Sequence, residues 1–175
     1  MTDTEDRGKD LNDAIETLYR QSDMIFRICR LNLKNQADAE DVFQEVFIRL
    51  MRYEGTFENE EHQKAWLCRV AINLCKDWQR SFWRRKVSSM EVHAEIDNKA
   101  GAESAEQHDL DLLAAVRALP VNMRNVMHLH YFEGYSVPEI AVILNRKPNT
   151  LYSDMNWARK RLKDELGESE DAFKL

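Results

Sequence analysis

The chain has 175 residues, 43% of them hydrophobic, with only 5 Gly and 3 Pro; this is enough for one or two small cores and is biased toward helix. No apolar run approaches the roughly 18 residues of a membrane span, and there is no leader sequence, so the chain reads as a cytoplasmic protein. A net charge of -6 argues superficially against nucleic acid, but residues 89–109 alone hold six acidic side chains against one basic. Residues 64–86 hold seven basic residues against Asp77 alone, and residues 145–163 hold six against Asp154 alone. Local patches of this kind, not the total, set the field that DNA meets.

The first element places Leu11, Ala14, Ile15, Leu18, Ile25, Phe26, Cys29 and Leu33 at helical spacing after a polar, frayed start, which predicts a long amphipathic helix. A second helix is expected from Asp38, whose side chain can cap, to a stop at Gly55, with Ala39, Val42, Phe43, Val46, Phe47 and Leu50 buried. Asp41, Gln44, Glu45, Ile48 and Arg52 then share the other side. An isoleucine among carboxylates there is either an ordinary exposed apolar residue or part of a protein-docking face. Residues 53–63 read as a loop.

A third helix follows from about Gln63, with Trp66, Leu67, Val70, Ala71, Leu74, Cys75 and Trp78 on its apolar side and Lys64, Arg69, Asn73, Lys76, Arg80 and Arg84 opposite. It ends in QRSFWRRK, where Phe82 and Trp83 interleave with arginines. Basic residues neutralise phosphates and aromatics stack on unpaired bases, each stack being worth roughly 1 to 3 kcal/mol, so this pattern suits single-stranded nucleic acid. Trp66 and Trp78 read more readily as core aromatics, and Trp83 as the exposed one. Ser88 to Asp109 is acidic and poor in large apolar residues, and reads as a flexible linker.

Beyond the linker, a helix from Leu110 to Leu119 is ended by Pro120, and another from Val121 to Glu133 is closed by Gly134. Ser136 followed three residues later by Glu139 is a capping box. Val137, Ile140, Ala141 and Leu144 continue that helix, Asn145 suits a left-handed C-terminus, and Pro148 suits the first turn of the next. In the last helix Leu151, Met155, Ala158, Leu162 and Leu166 form one apolar stripe. Asn149, Tyr152, Ser153, Asn156 and Lys160 lie opposite, flanked by Arg159, Arg161 and Lys163. This reads as a helix-turn-helix with a groove-reading face or as a solvated surface on an ordinary helical hairpin, and the flanking basic residues favour the first. The expected fold is all-α, two small helical domains joined by a flexible linker, the C-terminal one of four helices.

Cys29, Cys68 and Cys75 sit inside apolar helical patterns with no CxxC pair, and read as core residues of a reduced protein. A metal site on Cys68 and Cys75 is the weaker reading, and His128 and His130, two apart on a helix, point to different sides. There is no Gly-rich phosphate loop and no Cys or Ser placed with a His partner, so no catalytic residues and no cofactor are assigned. A freestanding helix-turn-helix regulator would explain the C-terminal half alone. It leaves the acidic face and the aromatic, basic third helix without work.

Taken in order, DAEDVFQEVFIRL, KAWLCRVAINLCKDWQR, ALPVNMRNVMHLHYFEGYSVPEIAVIL and NTLYSDMNWARKRL resemble the two conserved domains of an extracytoplasmic-function sigma factor of bacterial RNA polymerase. The resemblance implies an N-terminal domain (1–88) that docks on the polymerase clamp and reads the minus-10 element, a linker (89–109), and a C-terminal domain (110–175) that reads the minus-35 duplex. It implies core polymerase, through clamp and flap, and promoter DNA as partners, with an anti-sigma factor, free or membrane-bound, as a third. Asp41, Gln44 and Glu45 match clamp-docking positions, with Ile48 and Arg52 beside them. Asn73, Asp77 and Arg80 match the family's non-template-strand helix. The minus-10 candidates are Phe57, Asn59, His62, Lys64, Trp66, Arg69, Asn73, Lys76, Arg80, Trp83 and Arg84, with Phe57 equally readable as a residue that tucks the loop onto the core.

The minus-35 candidates are Arg146, Lys147, Asn149, Thr150, Tyr152, Ser153, Asn156, Arg159 and Lys160. Here the chain departs from the family pattern. Lys147 stands where a small capping residue is common, and Tyr152 and Asp154 flank Ser153 where basic residues are common. Asp154 is expected to accept from a cytosine amino group or to repel, and Arg146 to compensate with a phosphate contact.

Overall fold

Apolar residues recurring at steps of three and four become helices, and the described residues form seven of them with no strand: α1 (Thr2–Asn32), α2 (Gln36–Met51), α3 (Glu60–Ser88), α4 (Gln107–Ala118), α5 (Val121–Tyr131), α6 (Val137–Leu144) and α7 (Pro148–Leu166). The computed structural model describes residues 2–88 and 107–166, with the side chains of residues 2–14, 18, 82–88, 107–111 and 113 outside that description. The chain divides into two units, one holding α1 to α3 and the other α4 to α7. No helix among the described residues is long and apolar enough to cross a membrane.

In the first unit each helix packs on the other two. Its core is Ile25, Ile28 and Cys29 of α1, Ala39, Val42 and Val46 of α2, and Leu67, Cys68, Ala71, Ile72 and Cys75 of α3. Phe26 and Phe43 meet edge to face with centroids 5.9 Å apart, an arrangement aromatic pairs favour. Ile15, expected inside, is 36% exposed, whereas Met24 and Ile28 are buried. Ten residues at 3.6 per turn put Ile15 about 80° round from Ile25, on the side away from Met24 and Ile28. The polar start, expected to fray, is helical from Thr2; the side chains of Leu11, Ala14 and Leu18 lie outside the described residues.

The cap of α2 is Asn35, not Asp38. The Asn35 side chain accepts from the Asp38 amide at 2.8 Å, and its own amide donates to the Asp38 carboxylate at 3.0 Å. The helix ends at Met51, where the Arg52 amide donates to the Ile48 carbonyl at 3.1 Å, so Gly55 belongs to the loop. α3 opens at Glu60, earlier than expected, because Asn59 Oδ1 takes the His62 amide at 2.8 Å. Its buried stripe runs through Cys68 and Ile72, leaving Trp66, Val70, Leu74 and Trp78 only half-buried. Gln79 Nε2 donates to the Asn32 carbonyl at 2.6 Å and ties α3 to the end of α1.

The three cysteines are free and buried, and they do not pair as their spacing allowed. Cys75 meets Cys29 across α1 and α3; that hydrogen bond and burial push the Cys75 thiol well above its ordinary range. Cys68 instead lies 3.5 Å from the sulfur of Met24.

In the second unit α4 begins at Gln107, so three residues expected in the linker are helical; residues 89–106 lie outside the described residues. Arg124 closes the end of α4, donating to the Leu119 carbonyl at 2.9 Å and to that of Arg117. α5 stops at Tyr131, and Gly134 takes a φ of 76°, the left-handed region that glycine enters without strain. His128 Nε2 lies 3.4 Å from Glu133 while His130 Nδ1 meets the Tyr135 carbonyl at 2.8 Å, so the two histidines serve different neighbours.

The Ser136 and Glu139 capping box forms as the spacing predicts, with the Ser136 amide donating to Glu139 at 2.8 Å. These contacts, the serine hydroxyl first, hold the Glu139 carboxyl below its ordinary range. Ser136→Ala should lower thermal stability by about 1 kcal/mol at neutral pH. A lowered carboxyl stabilises the fold above its unfolded value and stops doing so as pH falls through the folded one. The stability difference between the native chain and Glu139→Gln, followed by urea unfolding, should therefore shrink on acidification below about pH 4.

Candidate functional site

The helix-turn-helix is set by local chemistry. Asn145 adopts the left-handed conformation at φ 51°, and the Arg146 amide reaches back to the Ala141 carbonyl at 2.9 Å, which satisfies a terminal carbonyl and turns the chain. Leu151, Met155, Ala158 and Leu162 are at most 2% exposed. Burying them on α4, α5 and α6 fixes the rotation of α7 and turns Asn149, Thr150, Tyr152, Ser153, Asn156 and Lys160 to solvent, beside the exposed Lys147. Tyr152 is 51% exposed. The Ser153 hydroxyl donates to the Asn149 carbonyl at 3.1 Å, an i to i−4 bond that leaves its lone pairs outward.

Two expected members of this face are engaged elsewhere. Arg146 Nη2 lies 2.6 Å from Asp154 Oδ2, and the two side chains are only 22% and 15% exposed. Asp154 is therefore not an outward acceptor, and Arg146 is not a free phosphate contact. Arg159 is half-buried, its Nε donating to the Tyr131 hydroxyl at 2.6 Å, so it holds α7 to α5. Conversely Trp157 is 43% exposed, with the Arg161 guanidinium 5.3 Å from its ring centroid. Its position one turn after Ser153 could have revealed it.

On α2, Asp41, Gln44, Ile48 and Arg52 are exposed together, while Glu45 is partly covered by Arg49, whose Nε donates to it at 3.1 Å. Met51, half-exposed, extends the same face three residues after Ile48. The face thus joins apolar to acidic groups, the mix that protein docking surfaces use.

The α2–α3 loop is an aromatic cluster. Phe57 stacks on Tyr53 at 4.6 Å, and both rings lie against Trp66, at 5.6 Å and 4.9 Å. His62 meets the edge of Phe57 at 5.8 Å, and its Nδ1 accepts from the Glu58 amide at 3.3 Å. Phe57 and Trp66 therefore tuck the loop onto α3. Asn73, Arg69 and Arg80 are exposed along α3, with Lys64 and Lys76 half-buried. Arg80 lies 3.6 Å from Asp77, close enough to hold its guanidinium on the helix surface. The side chains of Trp83 and Arg84, with Phe82 and Arg85, lie outside the described residues.

A Cβ on Gly55 would meet the Tyr53 ring at 2.6 Å, so glycine permits the stack. Gly55→Ala should displace that ring and destabilise the full chain by roughly 0.5–1.5 kcal/mol, the value of an aromatic pair, read as a lower thermal midpoint. Unchanged stability would show that the cluster does not hold the loop.

Comparison with known proteins accounts for both units. Residues 18–85 match the family model of Sigma-70 region 2, and residues 109–162 match that of Sigma-70 region 4, so that between them the two models cover well over half of the chain. The chain is 36% identical to the ECF RNA polymerase sigma factor SigE of Mycolicibacterium smegmatis over 164 residues, covering 86% of this chain and 60% of that protein. It is 28% identical to SigM of Mycobacterium tuberculosis over 156 residues, covering 88% and 78%. The fold superposes on the sigma factor RpoE of Bartonella quintana, solved in complex with the anti-sigma factor NepR, with a TM-score of 0.76 at 21% identity, covering 90% of this chain and 99% of that one. The chain belongs to the sigma-70 family of RNA polymerase sigma factors, in its extracytoplasmic-function group.

Proposed function

We propose that the chain directs core RNA polymerase to particular promoters, docking through α2, reading a minus-35 duplex with α7, and holding the minus-10 non-template strand with α3 and the loop before it. The observation that carries this reading is the array on α7: polar side chains exposed opposite a stripe that is almost completely buried. A helix so pinned can enter a major groove without losing its fold, and Asn156 and Tyr152 are placed to meet base edges while Lys147 and Lys160 meet phosphates.

The docking face is Asp41, Gln44, Glu45, Ile48 and Arg52, with Met51 added. Asn73, at the centre of the exposed side of α3, is the main minus-10 contact, with Arg69 and Arg80 on phosphates, and the aromatic cluster presents the loop residue Asn59 and, in the first turn of α3, His62. Unstacking bases costs a few kcal/mol per step, which a preformed loop offsets. No bond is made by this chain; the polymerase supplies the chemistry, in the cytoplasm. An anti-sigma factor is a further expected partner, since the structurally similar RpoE was solved with one. The acidic stretch separates a unit for the minus-10 element from a unit for the minus-35 element. Linking the two readers raises the effective concentration of each at its element.

Co-purification with core polymerase followed by transcription start mapping tests the whole reading. Glu45→Lys should weaken holoenzyme formation by at least about tenfold with helicity preserved, because the residue lies outside the buried stripe of Val42, Val46 and Leu50. Unchanged assembly in a pull-down would reject the docking face. On a library randomised over the minus-35 element, Tyr152→Ala and Asn156→Ala should cost about 1 to 3 kcal/mol at particular base pairs. Lys160→Ala should instead weaken all sequences alike and reduce the salt slope by about 1. Equal loss on every sequence for the first two variants would show that α7 only positions the protein.

A further inference from the structure

Arg146 stands in the turn just ahead of Lys147, Pro148 and Asn149, all exposed. A helix N-terminus with a neighbouring cation is a ready phosphate site. Instead of offering its charge there, Arg146 is drawn onto the second turn of α7, where Asp154 holds it at 2.6 Å with little exposure of either side chain. The neighbouring cations Lys147, Lys160 and Arg161 are all exposed. Among the described residues neither Nη1 of Arg146 nor Oδ2 of Asp154 has a well-directed hydrogen bond, so the two are held together by charge and the guanidinium keeps a donor to spare. The backbone of Arg146 is also fixed by its bond to Ala141 of α6, so the residue is held to α6 by its main chain and to α7 by the ion pair.

We propose that Asp154 is a specificity-determining positioning residue of the minus-35 reader: it holds Arg146 off the DNA backbone, so that binding depends on base edges and not on one more sequence-blind phosphate contact. This rests on the reading of α7 as the minus-35 reader. Each neutralised phosphate adds affinity for every sequence alike and steepens the salt dependence. In a cognate complex the base contacts already set the register. In a non-cognate complex nothing does, and a freed turn cation finds a phosphate with little strain. Releasing Arg146 therefore favours wrong sequences most, and a carboxylate that never touches DNA raises discrimination by withholding a neighbour.

The test uses holoenzyme assembled from core polymerase and the full chain, bound to duplexes selected from a library randomised over the minus-35 element and to scrambled versions of them. The isosteric Asp154→Asn should tighten binding to scrambled duplex several-fold, change selected duplex by less than about twofold, and steepen the log–log salt slope on scrambled duplex by about 0.9. Adding Arg146→Gln should cancel the gain, which identifies Arg146 as the freed cation. The exchanged pair, Arg146→Asp with Asp154→Arg, should keep the native slope and discrimination, and it separates loss of the pair from loss of the fold. An Asp154→Asn holoenzyme with native slope and native scrambled affinity overturns the proposal, as does a gain that survives Arg146→Gln. A native holoenzyme with no minus-35 preference would overturn the reading of α7 and this inference with it.

Discussion

The rotation of α7 about its own axis is the constraint on which the proposed DNA reading depends. A helix turned by a single residue swings each side chain through about 100°, which would bury Asn156 and expose Met155. What prevents this is the stripe of Leu151, Met155, Ala158 and Leu162, packed on α4, α5 and α6. Each large apolar side chain fully buried there contributes roughly 1.5–3 kcal/mol, and a rotated helix forfeits most of that. The polar array faces out because the apolar one cannot. The hydrogen bond of Arg159 to Tyr131 and the ion pair of Arg146 with Asp154 add polar contacts on the two flanks of the stripe.

The N-terminal unit follows the same logic with different chemistry on its free faces. α2 buries Val42, Val46 and Leu50 and turns Gln44, Ile48 and Met51 outward. α3 buries a stripe rich in small residues, Cys68, Ala71 and Cys75, which lets α1 approach closely and leaves a long basic side with Asn73 outward. The loop between them is tied to α3 by its own aromatics. α2 and α3 thus each carry one buried and one free face within a small three-helix unit.

Capping chemistry was the most legible part of the chain, because it is local. Ser136 with Glu139, Asn145 and Pro148 define the helix-turn-helix within a dozen residues, and the structure realises each of them. The α7 stripe was equally readable, being one period sustained over four turns. What could not be read required a partner from elsewhere in the fold. Asn35 and Asp38 are both competent caps, and where α1 ends decides between them. Phe57 could hold a base or tuck inward, and the choice rests on Tyr53 and Trp66. Taken alone, Arg146 reads as a phosphate contact and Asp154 as a base acceptor or a repelling element, and only the turn geometry brings them together. Ile15 misled because, ten residues before Ile25, it falls outside the arc that Met24 and Ile28 bury.

Strand opening by the assembled holoenzyme is the most direct measure of whether the two readers act as one device. Permanganate footprinting of unpaired thymines should show melting at the minus-10 element only when core polymerase and the full chain are present together on duplex promoter. A holoenzyme carrying Asn73→Ala should melt that duplex poorly yet transcribe from a template whose minus-10 bubble is already open. Melting by the chain without polymerase, or native melting by the Asn73→Ala holoenzyme, would contradict strand capture by α3.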